Sequence, residues 1–489
     1  MREGMTSQSS PQKVEALTRR TRSWAMADVL MIVLLFGVLV LIQYVSGAYH
    51  GEFGSHPDEA AHVVTGLMVY DYLTNSDWRS PLRFAEVYYL HYPKIALGHW
   101  PPLFYIAQAL WMLFLGASRP SLLLFMAGLG AVLAWSIFRV ACRFVPSVFA
   151  VMATVIFVCH PVAQQSTSAV MADLPLTGCV WLATLAFGRY LEGEHGYRNA
   201  LLFAVLASLA ILTKASGLLL VLVVGLSIVL SRRFACVKNP SLWFTAAFVL
   251  VVYAPFYIVM WDAMRNGLRH QSINSEFFFT AFSFFSRHFS SMTGVWVGGL
   301  ALVGVWNRVV APLCRNEAVA PLWAGLASLF VGTWAFHVLV PSALELRYLL
   351  PLLPAVVLFT ADGAYALYQR AEAHFRLALR WRNGIVGVAS LLVIWASFSF
   401  ADKEWHGYGE VVRTIVQAKD REQTVMLVSS DPRGEGMLIA EVALGDKRPN
   451  HYVSGLITSR TKNSSNFLDF CTKMSTRCHE TRQLRFAGE

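Results

Sequence analysis

Twelve apolar runs, separated by short charged or turn-rich stretches, dominate this chain. They lie near residues 25–47, 102–117, 120–142, 147–163, 174–191, 199–213, 216–231, 241–261, 291–307, 319–340, 348–369 and 384–400. A helix of about 20 apolar residues spans a hydrocarbon core about 30 Å thick, and most of these runs approach that length. Inside lipid every backbone N–H and C=O must be satisfied within the segment, so runs of this kind read as helices. With 56% hydrophobic and only 14% charged residues, a soluble chain of 489 residues is excluded. The expectation is an all-α polytopic membrane protein of about 11 to 13 transmembrane helices, with a large first outer loop and a small C-terminal α/β domain.

Charge placement orients the chain. The formal net charge is +10, but the basic residues cluster in short loops between apolar runs, which argues against nucleic acid and for cytoplasmic loops. Arg2, Lys13, Arg19, Arg20 and Arg22 place the N-terminus inside. Arg232, Arg233 and Lys238, then Arg308 and Arg315, then Arg370, Arg376, Arg380 and Arg382 are placed there too. Stepping between them puts Asp58, Asp173, Lys214, Arg347 and the tail after residue 400 on the outer side. An N-terminus inside and a tail outside require an odd number of crossings, so one run before residue 120 does not cross. The shortest, Leu103 to Gly116, covers only about 21 Å at 1.5 Å per residue.

Residues 1–23 are polar and expected to be a disordered cytoplasmic N-terminus, 24–400 a transmembrane domain with an outer loop at 48–100, and 401–489 a soluble outer domain. Within the loop, Ala60, Val63, Val64, Leu67 and Met68 recur at helical spacing, which predicts an amphipathic helix in the outer interface. In the tail, VVRTIVQAKD reads as a helix, TVMLVSS as a buried strand and EGMLIAEVALG as another helix. Cys471 and Cys478, beside His479, suit a disulfide or a partial metal site. No phosphate loop or dinucleotide fingerprint occurs.

Asp58 and Glu59 stand side by side just after the first membrane run, where paired carboxylates are costly without water, a helix terminus or a cation. A helix start capped by Ser55 would also explain them. Lys94 and His99 lie among interfacial aromatics before Pro101 and Pro102; a lysine there either snorkels to the interface or holds a lipid phosphate. Asp173 is a common type of helix-start residue, Lys214 interrupts a long apolar stretch, and Arg347 has Glu345 or Asp173 as ion-pair partners. Arg265, Arg269 and His270 suit an interfacial loop or a cover over a substrate.

In chain order these segments are an Asp-Glu pair after the first helix, HWPPLFY from His99, Asp173 in ADLPL, Thr213 and Lys214 in AILTKASGL, and Arg347 with Tyr348 in ELRYLLPLLPA. The series resembles the membrane glycosyltransferases of the C superfamily, in the bacterial branch related to protein O-mannosyltransferases and lipid A aminoarabinose transferases, glycosyltransferase families 39 and 83. It covers roughly residues 25 to 370. Two departures stand out: His99-Trp100-Pro101-Pro102 where the family commonly has His-Pro-Pro, and Ala215-Ser216 where Gly-Pro often follows the Thr-Lys pair.

The resemblance implies the glycosyltransferase C fold and a polyprenyl-phosphate-linked sugar donor, presented at the outer face of the cell inner membrane and displaced once with inversion. The acceptor would be a lipid, glycan or protein hydroxyl, or a phosphate. Attack by a hydroxyl on an oxocarbenium-like carbon calls for a carboxylate base, assigned to Asp58 with Glu59 as its helper. A phosphate leaving group needs cations rather than an acid, which suits Lys94, Arg347 and His99, with Asp173 and Tyr348 completing the substrate site. No cofactor and no obligatory metal are expected. The rival reading is a transporter or flippase of a lipid-linked or anionic substrate, which would be expected to show inverted repeats and mid-membrane charges. Here no repeat is visible and the charges gather at one face.

Overall fold

The computed structural model describes residues 11–75, 80–96, 98–193, 196–268, 275–375, 379–397, 402–403, 405–418, 424–446 and 451–455. Cys471, Cys478 and His479, together with Arg269 and His270, lie outside them, as does the side chain of Arg265.

The chain opens with α1 (Pro11–Val45), followed by α2 (Pro57–Asn75), α3 (Pro81–His91), α4 (Leu103–Leu115) and α5 (Arg119–Ala141). Helix α1 starts inside the segment expected to be disordered, because residues 11–24 are rich in Gln, Lys, Glu, Leu, Ala and Arg. Those residues cost little to add to a helix that the apolar run has already nucleated. Next come α6 (Ser147–Cys159), α7 (Pro161–Ser168), α8 (Asp173–Glu192), α9 (Tyr197–Thr213), α10 (Leu220–Ser231) and α11 (Pro240–Leu268). Then follow α12 (Ser275–Val305), α13 (Ala311–Cys314), α14 (Pro321–Leu339), α15 (Leu353–Phe375) and α16 (Leu379–Ser397).

Seven of the described helices are long and apolar enough to cross a membrane, and α6 with α7, bent by 59°, makes an eighth. Four shorter apolar helices at Leu103–Leu115, Tyr197–Thr213, Ala215–Ser231 and Asn383–Ala396 complete the set of twelve runs. The protein is therefore a multi-pass, largely helical membrane protein. Near the start of α4 Tyr105 bonds His62 of α2 at 3.0 Å, and just past its end Arg119 pairs with Glu441 of the tail, whose helix lies against α2. Helix α4 is thus tied to α2 near its start and to the tail unit just past its end.

The described part of the tail folds into α17 (Tyr408–Ala418), β1 (Val425–Val428), α18 (Pro432–Gly445) and β2 (Tyr452–Gly455). The two strands pair in parallel, Val425 opposite Tyr452. Met426 and Val428 are buried while Val425 and Leu427 are exposed, so β1 is half-covered rather than buried on both faces. This unit docks on the outer loop through polar anchors. The Glu52 carboxylate accepts the backbone N–H groups of Gly407, Tyr408 and Gly409 at 3.0, 3.1 and 2.7 Å, capping the start of α17. Tyr92 donates to Asp446 at 2.6 Å, and the His91 ring stacks on Tyr452 at 4.1 Å.

That docking overturns the amphipathic reading of α2. Every residue from Glu59 to Met68 is buried, because α18 covers the face expected to meet water and α4 covers another. Small residues permit the approach: a Cβ on Gly436 of α18 would sit 3.1 Å from Ala60, and one on Gly66 would sit 2.7 Å from Gln108 of α4. Elsewhere the closest crossing joins α12 to α15, where a Cβ on Gly363 would fall 2.0 Å from the Leu300 carbonyl oxygen. Beside it Arg308 donates to Asp362 at 2.8 and 2.6 Å.

Candidate active site

Four chain segments far apart in sequence end at one place on the tail's side of the molecule: the start of α2, the start of α8, the residue after α9, and the 3-10 turn Leu346–Leu352 that leads into α15. Each brings a charge. Pro57 opens α2 with its ring where no N–H is needed, and His56 Nδ1 just before it accepts the Asp58 N–H at 3.1 Å. The cap is therefore His56 and not Ser55. Ser55 instead donates its N–H to Glu59 Oε2 at 2.8 Å, the half of a capping box in which the acid reaches back. Asp173 opens α8, so both helix starts carry an acid where the dipole favours one.

Arg347 joins them. Its Nη2 donates to Asp58 Oδ2 at 3.0 Å, its Nη1 reaches Asp173 Oδ2 at 3.5 Å, and its Nε bonds Glu345 Oε2. Lys214, set in extended backbone as α9 ends, donates to Asp173 Oδ1 at 2.6 Å. Both cations lie on the ring of Tyr348, with Lys214 Nζ 4.5 Å and the Arg347 guanidinium 5.1 Å from its centroid. His337, near the end of α14, stacks on that ring at 5.1 Å and 15°. His56 closes the outer side, with Nε2 2.9 Å from Glu345 Oε1 and Nδ1 3.3 Å from Asp58 Oδ2.

Accessibility grades across this cluster. The Asp173 side chain is 4% exposed, Arg347 15%, and Asp58 35%, so Asp58 is the carboxylate that faces the open side. Burial pushes the Asp58 pKa up, but the His56 hydrogen bond and the His56 and Arg347 charges outweigh it and hold the carboxyl well below its usual range. Glu345 is lowered in the same way: burial raises it, and His56 and Arg347 more than reverse that. Burial opposes a charge on His56, yet its bonds to Asp58 and Glu345 raise its pKa overall. Deeper along α2, burial pushes His62 down to about 3, leaving a neutral ring against Trp100.

Of the residues singled out from sequence, Asp58, Asp173, Arg347 and Tyr348 meet here. Glu59 does not. It is fully buried on the other side of α2, where Lys403 donates to it at 3.1 Å and the Val170 N–H at 3.0 Å. Lys94 points to the tail, bonding the Pro432 carbonyl at 3.1 Å and Glu435 at 3.3 Å. His99 is exposed, edge-on to Trp100 at 4.6 Å, within reach of the Asp58 charge but outside its hydrogen-bond ring. Sequence reasoning passed over His56 and His337, read Lys214 as either helix punctuation or a ligand-binding residue, and left Glu345 as a partner only. The signal available for His56 and Glu345 was their place two residues before Asp58 and Arg347. Among the described residues no group of three His, Cys, Asp or Glu side chains is arranged to hold a metal ion.

Residues 99–261 match the family model described as dolichyl-phosphate-mannose-protein mannosyltransferase, which covers a third of the chain. No curated protein sequence matches the chain significantly. Among solved structures, ArnT from Cupriavidus metallidurans in the apo state is similar, with a TM-score of 0.51 and 14% identity over 86% of this chain and 75% of that one. The chain has the fold of the C-superfamily membrane glycosyltransferases. The apo oligosaccharyltransferase of Archaeoglobus fulgidus shares it, at a TM-score of 0.51 and 12% identity over 85% of this chain and 64% of that one. In this fold the present chain brings its ion cluster to the starts of α2 and α8 and the end of α9, the side on which its tail unit docks.

Proposed function

We propose that this chain is a glycosyltransferase that moves a sugar from a polyprenyl-phosphate carrier to an acceptor hydroxyl at the outer face of the inner membrane, with inversion and with Asp58 as general base. The observation that carries the reading is the pairing of one accessible carboxylate, Asp58, with a guanidinium that also reaches a buried acid neutralised by Lys214. The description of the matched family, which names a dolichyl-phosphate-linked mannose, supports a lipid-phosphate donor. The clustering of Asp58, Asp173, Lys214 and Arg347 at one end of the helical body favours chemistry at one face over transport through the middle.

The chemistry follows from the charges. A phosphate leaving group develops negative charge as the glycosidic bond breaks, and Arg347 with Lys214, both set against Tyr348, are the cations within reach of Asp58 and Asp173. A phosphate taking one guanidinium edge would compete with Asp58 for Arg347. Asp58 would then lose one of the partners that, with His56, suppress its basicity just when the acceptor proton has to be taken. Glu59 holds the loop before α8 and the tail segment at Lys403, so its part is to position α2.

The deciding experiment supplies membranes containing the protein with lipid-linked sugars extracted from its own host and follows release of free polyprenyl phosphate by mass spectrometry. Asp58→Asn should abolish release while expression and folding persist. Undiminished release in that variant removes Asp58 from the role, and no release by the native chain removes the reading as a whole.

A further inference from the structure

Asp58, His56, Glu345 and Arg347 form a closed ring of side chains. Arg347 bonds Asp58 at 3.0 Å, Asp58 lies 3.3 Å from His56 Nδ1, His56 Nε2 lies 2.9 Å from Glu345 Oε1, and the second Glu345 oxygen accepts from Arg347 Nε. The Asp58 side chain, 35% exposed, would be covered by an acceptor bound on it, whereas His56 and Glu345, each 26% exposed, keep an open edge beside it and Arg347 at 15% closes the other side. Of the described side chains touching Asp58, Arg347 only donates, whereas an imidazole both accepts and donates. Because Nδ1 accepts the Asp58 N–H, the hydrogen on this ring sits on Nε2 and faces Glu345.

We propose that His56 and Glu345 form the exit path for the proton that Asp58 takes from the acceptor, a role that rests on Asp58 being the base. In the transfer step the acceptor oxygen bonds the anomeric carbon, its proton passes to Asp58, and the bond to the carrier phosphate breaks with its electron pair leaving on phosphate. The hydrogen bond from the Asp58 N–H to His56 Nδ1 then breaks, Nδ1 takes the acceptor's proton from the Asp58 carboxyl beside it, and the Nε2 proton passes to Glu345 Oε1. Glu345 releases it to water, and the imidazole regains its starting tautomer by exchange with water at its open edge. The carboxylate is restored, Arg347 can bond it again, and the site is reset. The charged groups facing His56 are Asp58, Glu345 and Arg347, so the path carries a proton between two acids that share one guanidinium. His56 is a positioning residue in this scheme, since it touches the base and not the substrate.

The test uses the purified full chain in lipid vesicles, with a lipid extract and washed membranes from a host strain lacking the protein as donor and acceptor. Quenched-flow counting of released polyprenyl phosphate separates the first turnover from later ones. In His56→Ala the first turnover should survive as a burst stoichiometric with enzyme, and the steady rate should fall about a hundredfold, the lower end of what a positioned proton acceptor contributes. Added imidazole should restore much of the steady rate, and Glu345→Gln should show the same burst without that rescue. An unchanged steady rate in His56→Ala, or a loss without a burst that imidazole does not repair, overturns the proton path. The second outcome marks His56 as a helix cap alone. An undiminished first turnover in Asp58→Asn instead overturns the catalytic reading beneath it.

Discussion

The guanidinium of Arg347 donates to the carboxylate of Asp58 at 3.0 Å across 289 residues of chain, and the same fork reaches Asp173 at 3.5 Å. One side chain thus ties the first outer helix to the middle of the molecule and to the turn before α15.

Arg347→Lys keeps a charge but not the fork, and a single ammonium cannot serve three carboxylates at once. Release of polyprenyl phosphate should fall about a hundredfold or more, while the melting temperature in detergent drops only modestly. Arg347→Ala should cost about 1–3 kcal/mol as well, because Asp173 keeps Lys214 but loses its second charged donor. Native-like activity in Arg347→Lys would exclude bidentate engagement.

Glu59 and Lys403 form a buried pair, with side chains 0% and 3% exposed. Glu59→Gln leaves an unpaired ammonium and should destabilise the chain by about 3–5 kcal/mol. The double replacement Glu59→Gln with Lys403→Met should recover most of that. Limited proteolysis of the tail unit and a thermal melt measure both, and activity should follow stability across the set.

The pH dependence of the outer cluster has two limbs. Asp58 is depressed in the folded protein, so its contribution is present above the ordinary carboxylate value and lost as pH falls through its lower folded value. His56 is raised, so its contribution is complete below the ordinary histidine value and lost as pH rises through its higher folded one. Melting temperatures should decline on both sides, and in His56→Gln the alkaline limb should vanish while the acid limb shrinks, because His56 also holds Asp58 low.

Asp71 on α2 accepts from Tyr88 at 2.9 Å, and burial pushes it up to about 6. A raised acid costs stability when charged, so the cost is absent below the ordinary value, sets in as pH rises, and is complete above about 6. Asp71→Asn keeps an acceptor for Tyr88 and should stabilise the protein by on the order of 2 kcal/mol at pH 8. The gain should shrink toward pH 4, as thermal melts across that range would show.

Much of the site was legible because its residues break the pattern around them. Asp173, Lys214 and Arg347 interrupt or border apolar runs, and counting basic loops sends all three to the face that carries Asp58. The structure brings them within 2.6 to 3.5 Å of one another through Asp173 and Arg347. Lys94 and Glu59 read equally well as site residues yet turn away. One residue along a helix is about 100° around it, so the neighbours Asp58 and Glu59 face different partners, and adjacency in sequence says nothing about which.

The sequence by itself determined that the chain is a helical membrane protein, how many apolar segments it has, and that Asp58, Asp173, Lys214 and Arg347 share one face. Lipid admits few backbone solutions, and charge crosses it at high cost. The tertiary structure alone decided that α2 is sandwiched by the tail instead of lying in the interface, and that His56 and Glu345 complete the ring around Asp58. These depend on which side chains from distant segments satisfy one another once buried, and pairing of that kind leaves no periodicity along the chain to be read.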